Sequence, residues 1–283
     1  MSIYNLNIIQ ANLCWSLFWL TYWIFGFYLS WISYSLYNKQ FNDTIDTNND
    51  NNDNNINYNN INNNDNNNIN NNDENKELND KNIKEPNSLI YNIISNFFSK
   101  IIVTEKRKIT DLNLVMFNLI QNMFWTWLTT NIVFMIPFRI LEHTSIWLKF
   151  VLCLLFTEVW FYHMHIMMHH RQLYIKFHKK HHTFQYPYAL TAMYSSAYET
   201  ILCNTLSVGL GPILFGLPSP YIYIWFILVA FNSVFTHSGF KLKLFGYNII
   251  DNSHDIHHQL FNYNYGPMII LDKLYGTYKF QNS

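Results

Sequence analysis

Residues 165–190 read HIMMHHRQLYIKFHKKHHTFQYPYAL, residues 236–240 read THSGF, and residues 254–278 read HDIHHQLFNYNYGPMIILDKLYGTY. Of the chain's twelve histidines, all but His143 lie between His163 and His258. They are clustered. His165 and His169 form H-x-x-x-H, and His178, His181 and His182 form H-x-x-H-H. His237 stands alone, and His254, His257 and His258 repeat H-x-x-H-H. Residues three or four apart on a helix share a face, with Cβ atoms about 5–6 Å apart. Imidazole nitrogens at that spacing can converge on a metal ion about 2.0–2.1 Å away. Four such groups exceed what one tetrahedral zinc needs, and suit two ions, each with several nitrogen ligands and an open position. Imidazole serves iron, copper, nickel and zinc alike, so ligand type does not choose the metal. His143 reads as structural, and His163 and His170 as neighbours of the first box.

Outward from these boxes the chain is apolar. Of 283 residues, 49% are hydrophobic, 18% aromatic and only 13% charged, against about 25% charged in soluble domains. The mean hydropathy of −0.06 averages an Asn-rich tract with a very apolar remainder. Zero net charge gives no sign of a nucleic-acid partner. Cys14, Cys153 and Cys203 all lie in apolar stretches at spacings that match no metal or disulfide pattern, and read as packing residues.

Asn12–Leu36, NLCWSLFWLTYWIFGFYLSWISYSL, has no charge and is long enough to cross a hydrocarbon core of about 30 Å. With no basic segment ahead of it, it is expected to be an uncleaved anchor. Further apolar stretches run over 114–138 and 146–162. The stretch 200–235 is broken by glycines and by Pro218-Ser219-Pro220, and reads as a helical hairpin with a re-entrant first arm. The expected fold is an all-α polytopic membrane protein of four to five spans under a histidine-rich cap. Residues 1–40 form the anchor, 41–90 an Asn-rich disordered insert, and 91–283 the catalytic domain. Lys100–Lys108 and Arg171–Lys180 place all the histidine clusters on the cytosolic face by the positive-inside rule.

The boxes resemble those of the fatty acid hydroxylase and sterol desaturase superfamily of membrane di-iron enzymes, in unbroken order from Glu158 to Tyr278. The final box, with its N-Y-G and D-x-x-x-G-T continuation, is the most specific element. H-D-I-H-H, the terminal D-x-L-x-G-T and Glu199-Thr200 are most similar to C4-methylsterol monooxygenases and fatty acid hydroxylase domain-containing proteins. The chain departs from that pattern at Ser196, where a histidine is usual, at Ile166 in place of an arginine, and at Glu158 in place of an aspartate.

The resemblance implies two iron ions, electrons from NADPH or NADH through cytochrome b5 and its reductase, a lipid substrate of sterol type, and residence in the endoplasmic reticulum membrane. It implies His165, His169, His178, His181, His182, His237, His254, His257 and His258 as ligands, with Asp255 and Asn264 supporting them from behind. Asp272 and Gly276 are expected to shape the closing turn, and His181→Ala to abolish iron loading and turnover. Other readings stay open. A fatty-acyl or sphingolipid hydroxylase or a sterol C5-desaturase would use the same site on another lipid. A zinc-dependent membrane hydrolase would need fewer histidines and a catalytic carboxylate. A non-catalytic metal-binding membrane protein would be a degenerate relative.

Overall fold

A computed structural model describes residues 3–56, 102–104, 107–137, 140–141, 143–244, 247–250 and 253–280. The chain divides into two units, Met1–Tyr37 with Ile102–Ser283, and Asn38–Ile101. The protein is a helical membrane protein, and among the described residues three helices are long and apolar enough to cross a bilayer: Asn7–Asn38, Ile146–Met168 and Ser219–Thr236.

Helix α1 is Ile3–Ile56. Its buried aromatic face packs Trp19 against Tyr22, with ring centroids 5.1 Å apart. Polar tips on that face find partners, as buried indole and phenol groups must. Trp19 Nε1 donates to Thr126 Oγ1 at 2.9 Å, and the Tyr22 hydroxyl donates to Leu190 O at 2.7 Å. Leu20, Phe27, Tyr28 and Trp31 are exposed on the other side, as a lipid-facing surface requires. In the second unit α1 continues through Ile56, so residues 41–56 of the expected disordered insert are helical. Propagation from a formed helix adds one hydrogen bond per residue with no new nucleation. The remainder of the insert, 57–90, and Lys100 lie outside the described residues.

Helix α2 is Leu112–Phe134. It covers the second expected span but is not among the three helices apolar enough to cross alone. Its polar residues are turned inward. Asn118 Nδ2 donates to Ser195 O at 3.1 Å and Asn122 Nδ2 to Met193 O at 2.8 Å, while Ser195 N donates to Asn118 Oδ1 at 3.0 Å. The amides that lower its apolarity thus clamp the loop on which Tyr194 sits.

Helix α3, Ile146–Met168, starts at Ser145, whose hydroxyl accepts from Leu148 N. The expected hairpin is asymmetric. A wide turn at Thr200–Thr205 leads into α4, Leu206–Leu214, which is too short to span at about 1.5 Å per residue. After a turn, α5 runs Ser219–Thr236 with proline in its first turn. The short α4 and the polar α2 are therefore not among the three described helices long and apolar enough to cross a bilayer.

One small sheet accompanies this otherwise helical architecture among the described residues. A three-stranded antiparallel sheet joins β1, Ile102–Thr104, to β2, Phe240–Leu244, and β2 to β3, Tyr247–Ile250. Register pairs Val103 with Lys241 and Leu244 with Tyr247. Gly239, at φ 77°, makes the left-handed turn from the end of α5 into β2. Helices α6, Ser253–Leu260, and α7, Ile270–Tyr275, close the described chain.

Candidate metal centre

Five short pieces of structure carry the clustered histidines. The last turn of α3 holds His165 and ends on His169. A single turn, Arg171–Leu173, runs into a widened helical turn, Tyr174–His178, and a tight one, His181–Thr183. His237 is the residue that ends α5, and α6 holds His254, His257 and His258. Helical turns of the i→i+5 type are uncommon and recur at functional sites. Here one ends on His178 and the other, Thr200–Thr205, begins just after Glu199.

All nine histidines singled out in the sequence come together, in two groups. His165, His169, His178, His182 and His257 form one, and His181, His237, His254 and His258 the other. Within each, the available nitrogens lie within 4.8 Å of one another. The two H-x-x-H-H boxes are each split. His178 and His182 point to the first group and His181 to the second, while His254 and His258 point to the second and His257 to the first. His143, His163 and His170 stay outside both groups.

The protonation pattern shows that this arrangement fits cations. His165 Nδ1 lies 2.7 Å from Tyr265 O and His257 Nδ1 2.7 Å from Tyr263 O. His237 Nδ1 lies 2.8 Å from Ser233 O, and His258 Nδ1 3.0 Å from Phe184 O. A carbonyl can only accept, so each Nδ1 carries the hydrogen and each Nε2 presents a lone pair. In the second group Nε2 of His237, His254 and His258 is buried with no hydrogen-bond partner. Leaving a buried polar atom unsatisfied costs about 1–3 kcal/mol, and a shared metal ion would remove that cost.

In the first group Nε2 of His178 is 3.0 Å from Nε2 of both His165 and His182, and Nε2 of His257 is 3.1 Å from Nε2 of both His169 and His182. Two nitrogens bound at right angles to one ion, each about 2.1 Å from it, would be about 3.0 Å apart. Burial, with help from neighbouring imidazoles, lowers the histidine pKa values. It brings His169, His178 and His237 to about 3 and His254, His257 and His258 well below the usual range. The neutral form, which is the ligating form, is therefore held.

Glu199 is the site residue that the sequence reading passed over. Fully buried, it places Oε2 3.0 Å from His178 Nδ1 and Oε1 3.9 Å from His181 Nδ1, so one carboxylate touches an imidazole of each group. The shorter contact is an ion-pair approach rather than a hydrogen bond, and both atoms are buried without a hydrogen-bond partner. Burial pushes the carboxyl up to about 8, against the pull of His181 and Lys180. Ser196 caps this short helix by accepting from Glu199 N at 3.2 Å.

Behind the histidines stand two buried carboxylates. Glu158 accepts from Met268 N and Leu271 N, both at 2.9 Å. Asp272 accepts from Tyr265 N at 2.8 Å, Gly266 N at 2.7 Å and the Thr277 hydroxyl at 2.7 Å. They hold the 263–271 loop so that the Tyr263 and Tyr265 carbonyls meet His257 and His165, the orienting role that such outer contacts play at metal sites. Asp272 thus ties the closing turn at Thr277 to the loop whose Tyr265 carbonyl meets His165.

Both residues expected to support the ligands make long-range contacts. Asp255 meets Arg107 Nη2 at 2.5 Å and anchors the first turn of α6. Asn264 donates to Ser253 O at 3.0 Å and Lys279 O at 2.9 Å, tying backbone segments rather than an imidazole.

Gly266 has no room for a side chain. A Cβ there would stand 2.8 Å from Glu158 Oε1 and 3.0 Å from Asp272 Oδ2. Gly266→Ala should therefore displace both carboxylates and lower metal affinity by about 10–100-fold, the range for lost outer contacts. Chelator titration of the purified variant would check this, and wild-type retention of metal would refute it.

A cavity of about 540 Å³ ends on His165, His181, His237, His254 and Glu199. Away from them it is walled by Trp15, Phe18, Trp19, Phe150, Trp225 and Phe226. From Phe150 to His165 along α3 is about 22 Å at the helical rise of 1.5 Å per residue.

Residues 150–277 match the fatty acid hydroxylase family model. Fatty acid hydroxylase domain-containing protein 2 of Homo sapiens is 35% identical over 130 residues, covering 46% of this chain and 38% of that protein. Methylsterol monooxygenase 1 of Rattus norvegicus is 29% identical over 131 residues, 44% of each chain. Sphinganine C4-monooxygenase 1 of Arabidopsis thaliana is 33% identical over 139 residues, 46% of this chain and 54% of that one. The matched region thus spans 38–54% of the length of these relatives. No solved structure matches.

Proposed function

We propose that the protein is a membrane oxidoreductase that hydroxylates a lipid, and within that class a methylsterol monooxygenase acting on the C4-methyl group of a sterol. The observation that carries the reading is a long apolar cavity ending on imidazoles of both histidine groups. The nine histidines would hold two iron ions, which when bound supply dioxygen activation for oxidation of a C–H bond. Five nitrogen donors in one group exceed the tetrahedral set that zinc prefers, which favours iron.

The chain's own residues provide the rest. Carbonyls of Phe184, Ser233, Tyr263 and Tyr265 keep the imidazole lone pairs turned inward. The aromatic walls exclude water and hold hydrocarbon with one end against the histidines. Electrons would come from NAD(P)H through cytochrome b5 and its reductase, and the enzyme would sit in the endoplasmic reticulum membrane. The match to a protein named sphinganine C4-monooxygenase favours a second reading, a sphingoid or fatty-acyl hydroxylase on the same site.

The test is metal content and turnover on one detergent-purified preparation. Iron and zinc are quantified per chain, and 4,4-dimethylsterol is then supplied with NADPH, cytochrome b5 and its reductase, products being followed by mass spectrometry. About two irons with a C4-oxidised product is the expected result. Two irons without it would move the substrate to sphingoid bases or fatty acyl chains. Stoichiometric zinc with no oxidation after iron reconstitution would overturn the oxygenase reading.

A further inference from the structure

The cavity is not apolar throughout. Near its histidine end, Asn204, Thr205, Asn232, Ser233 and Thr236 also line it. The threonine hydroxyls are used locally: Thr205 donates to Thr200 O at 2.7 Å and Thr236 to Asn232 O at 3.0 Å. Asn204 and Asn232 differ. Neither side-chain amide has a hydrogen-bond partner among the described residues, although both residues are partly buried and face the cavity. Asn204 lies on the widened turn that follows Glu199, and Asn232 one turn before Thr236 on α5. Along the helical rise each is about 7–8 Å from its nearest site residue, Glu199 or His237.

An amide carries two donors and an oxygen acceptor. In a wall built mostly of aromatic and aliphatic side chains, unpaired amides lose hydration with nothing in return. Sites that place a few polar groups in an apolar cavity use them to fix ligand orientation. We propose that Asn204 and Asn232 are specificity residues that bind a hydroxyl or carbonyl oxygen of an amphipathic lipid, close to the carbon presented to the histidines. The substrate then enters with its polar end at the histidines and its hydrocarbon towards Trp15, Phe150 and Trp225. Oxidation falls near the polar end, not at the far terminus of a chain. This rests on the reading of the cavity as a lipid site and adds which end of the lipid is read.

The test is equilibrium displacement of a fluorescent lipid from the full-length protein in nanodiscs, without turnover. Two pairs of probes are used: a 3-hydroxysterol with its 3-deoxy hydrocarbon, and octadecan-1-ol with octadecane. The hydroxylated member of at least one pair should bind about tenfold more tightly, as expected for one or two net hydrogen bonds. Asn204→Leu and Asn232→Leu should each reduce that preference while leaving hydrocarbon affinity and bound metal unchanged. Equal binding of both members of both pairs by the wild-type protein would overturn the proposal and leave the lipid site standing. Displacement by none of the four would instead overturn the lipid site, and the proposal with it.

Discussion

Replacing His181 by alanine should empty one half of the metal centre and abolish turnover. His181 is buried among His237, His254 and His258, with its ring centroid 4.6 Å from His258 and 5.3 Å from His237. Removing it leaves three imidazoles in that group and none in place of the one nearest Glu199 Oε1. The five-histidine group keeps all its members. Iron should therefore fall from about two to about one per chain, with loss of lipid oxidation because both ions are needed. His257→Ala should give the complementary result. It deletes the nitrogen 3.1 Å from both His169 and His182 and leaves the four-histidine group whole. Iron counted by elemental analysis alongside product formation would check both, with a melting curve to show that each variant is folded. Two irons and wild-type turnover in His181→Ala would remove it from the site. Loss of all iron in both variants would mean that the two groups load as one unit, the outcome expected from the sequence alone.

The difference between those outcomes marks what could be read before the structure. Helical spacing showed that His178, His181 and His182 share a turn, and the resemblance supplied their role. Spacing could not show that the turn sends His178 and His182 one way and His181 the other. That division depends on the widened turn at Tyr174–His178 and the tight one at His181–Thr183, whose geometry follows from packing rather than from residue type. The apolar runs of α1, α3 and α5 were legible because lipid demands a continuous apolar surface. The inward amides of α2 were not, since Asn118 and Asn122 only make sense once the 193–195 loop lies against them. The strand β2 was missed although FKLKL alternates apolar and basic residues, the period-2 signature of a strand, because it stands between helices. Which group the Asp255 carboxylate or the Asn264 amide meets is set by residues distant in sequence such as Arg107 and Lys279, which local spacing does not reveal.

Glu199 offers the sharpest separation between a structural and a functional carboxylate. Glu158 and Asp272 spend their oxygens on backbone N–H groups of one loop. Glu199 accepts no backbone N–H within the described residues, and its oxygens face imidazole nitrogens from opposite groups. A buried acid placed this way is disfavoured as an anion, which is why burial raises it to about 8. Positive charge held by the flanking histidines would reverse that preference and make the carboxylate a counter-charge shared by both ions. Glu199→Gln keeps shape and volume while removing the charge. It should lower iron affinity by about 10–100-fold, measured by chelator competition, and should reduce turnover with the melting temperature of the metal-free protein unchanged. Glu199→Asp, which keeps the charge but withdraws it by one methylene, should recover part of the affinity. A Gln variant that binds iron as tightly as wild type and turns over normally would make Glu199 a packing residue. A Gln variant that melts early without metal would assign it to the fold instead. Only a loss of affinity in an otherwise stable protein, partly restored by Asp, identifies the charge between the two histidine groups as part of what holds the metal.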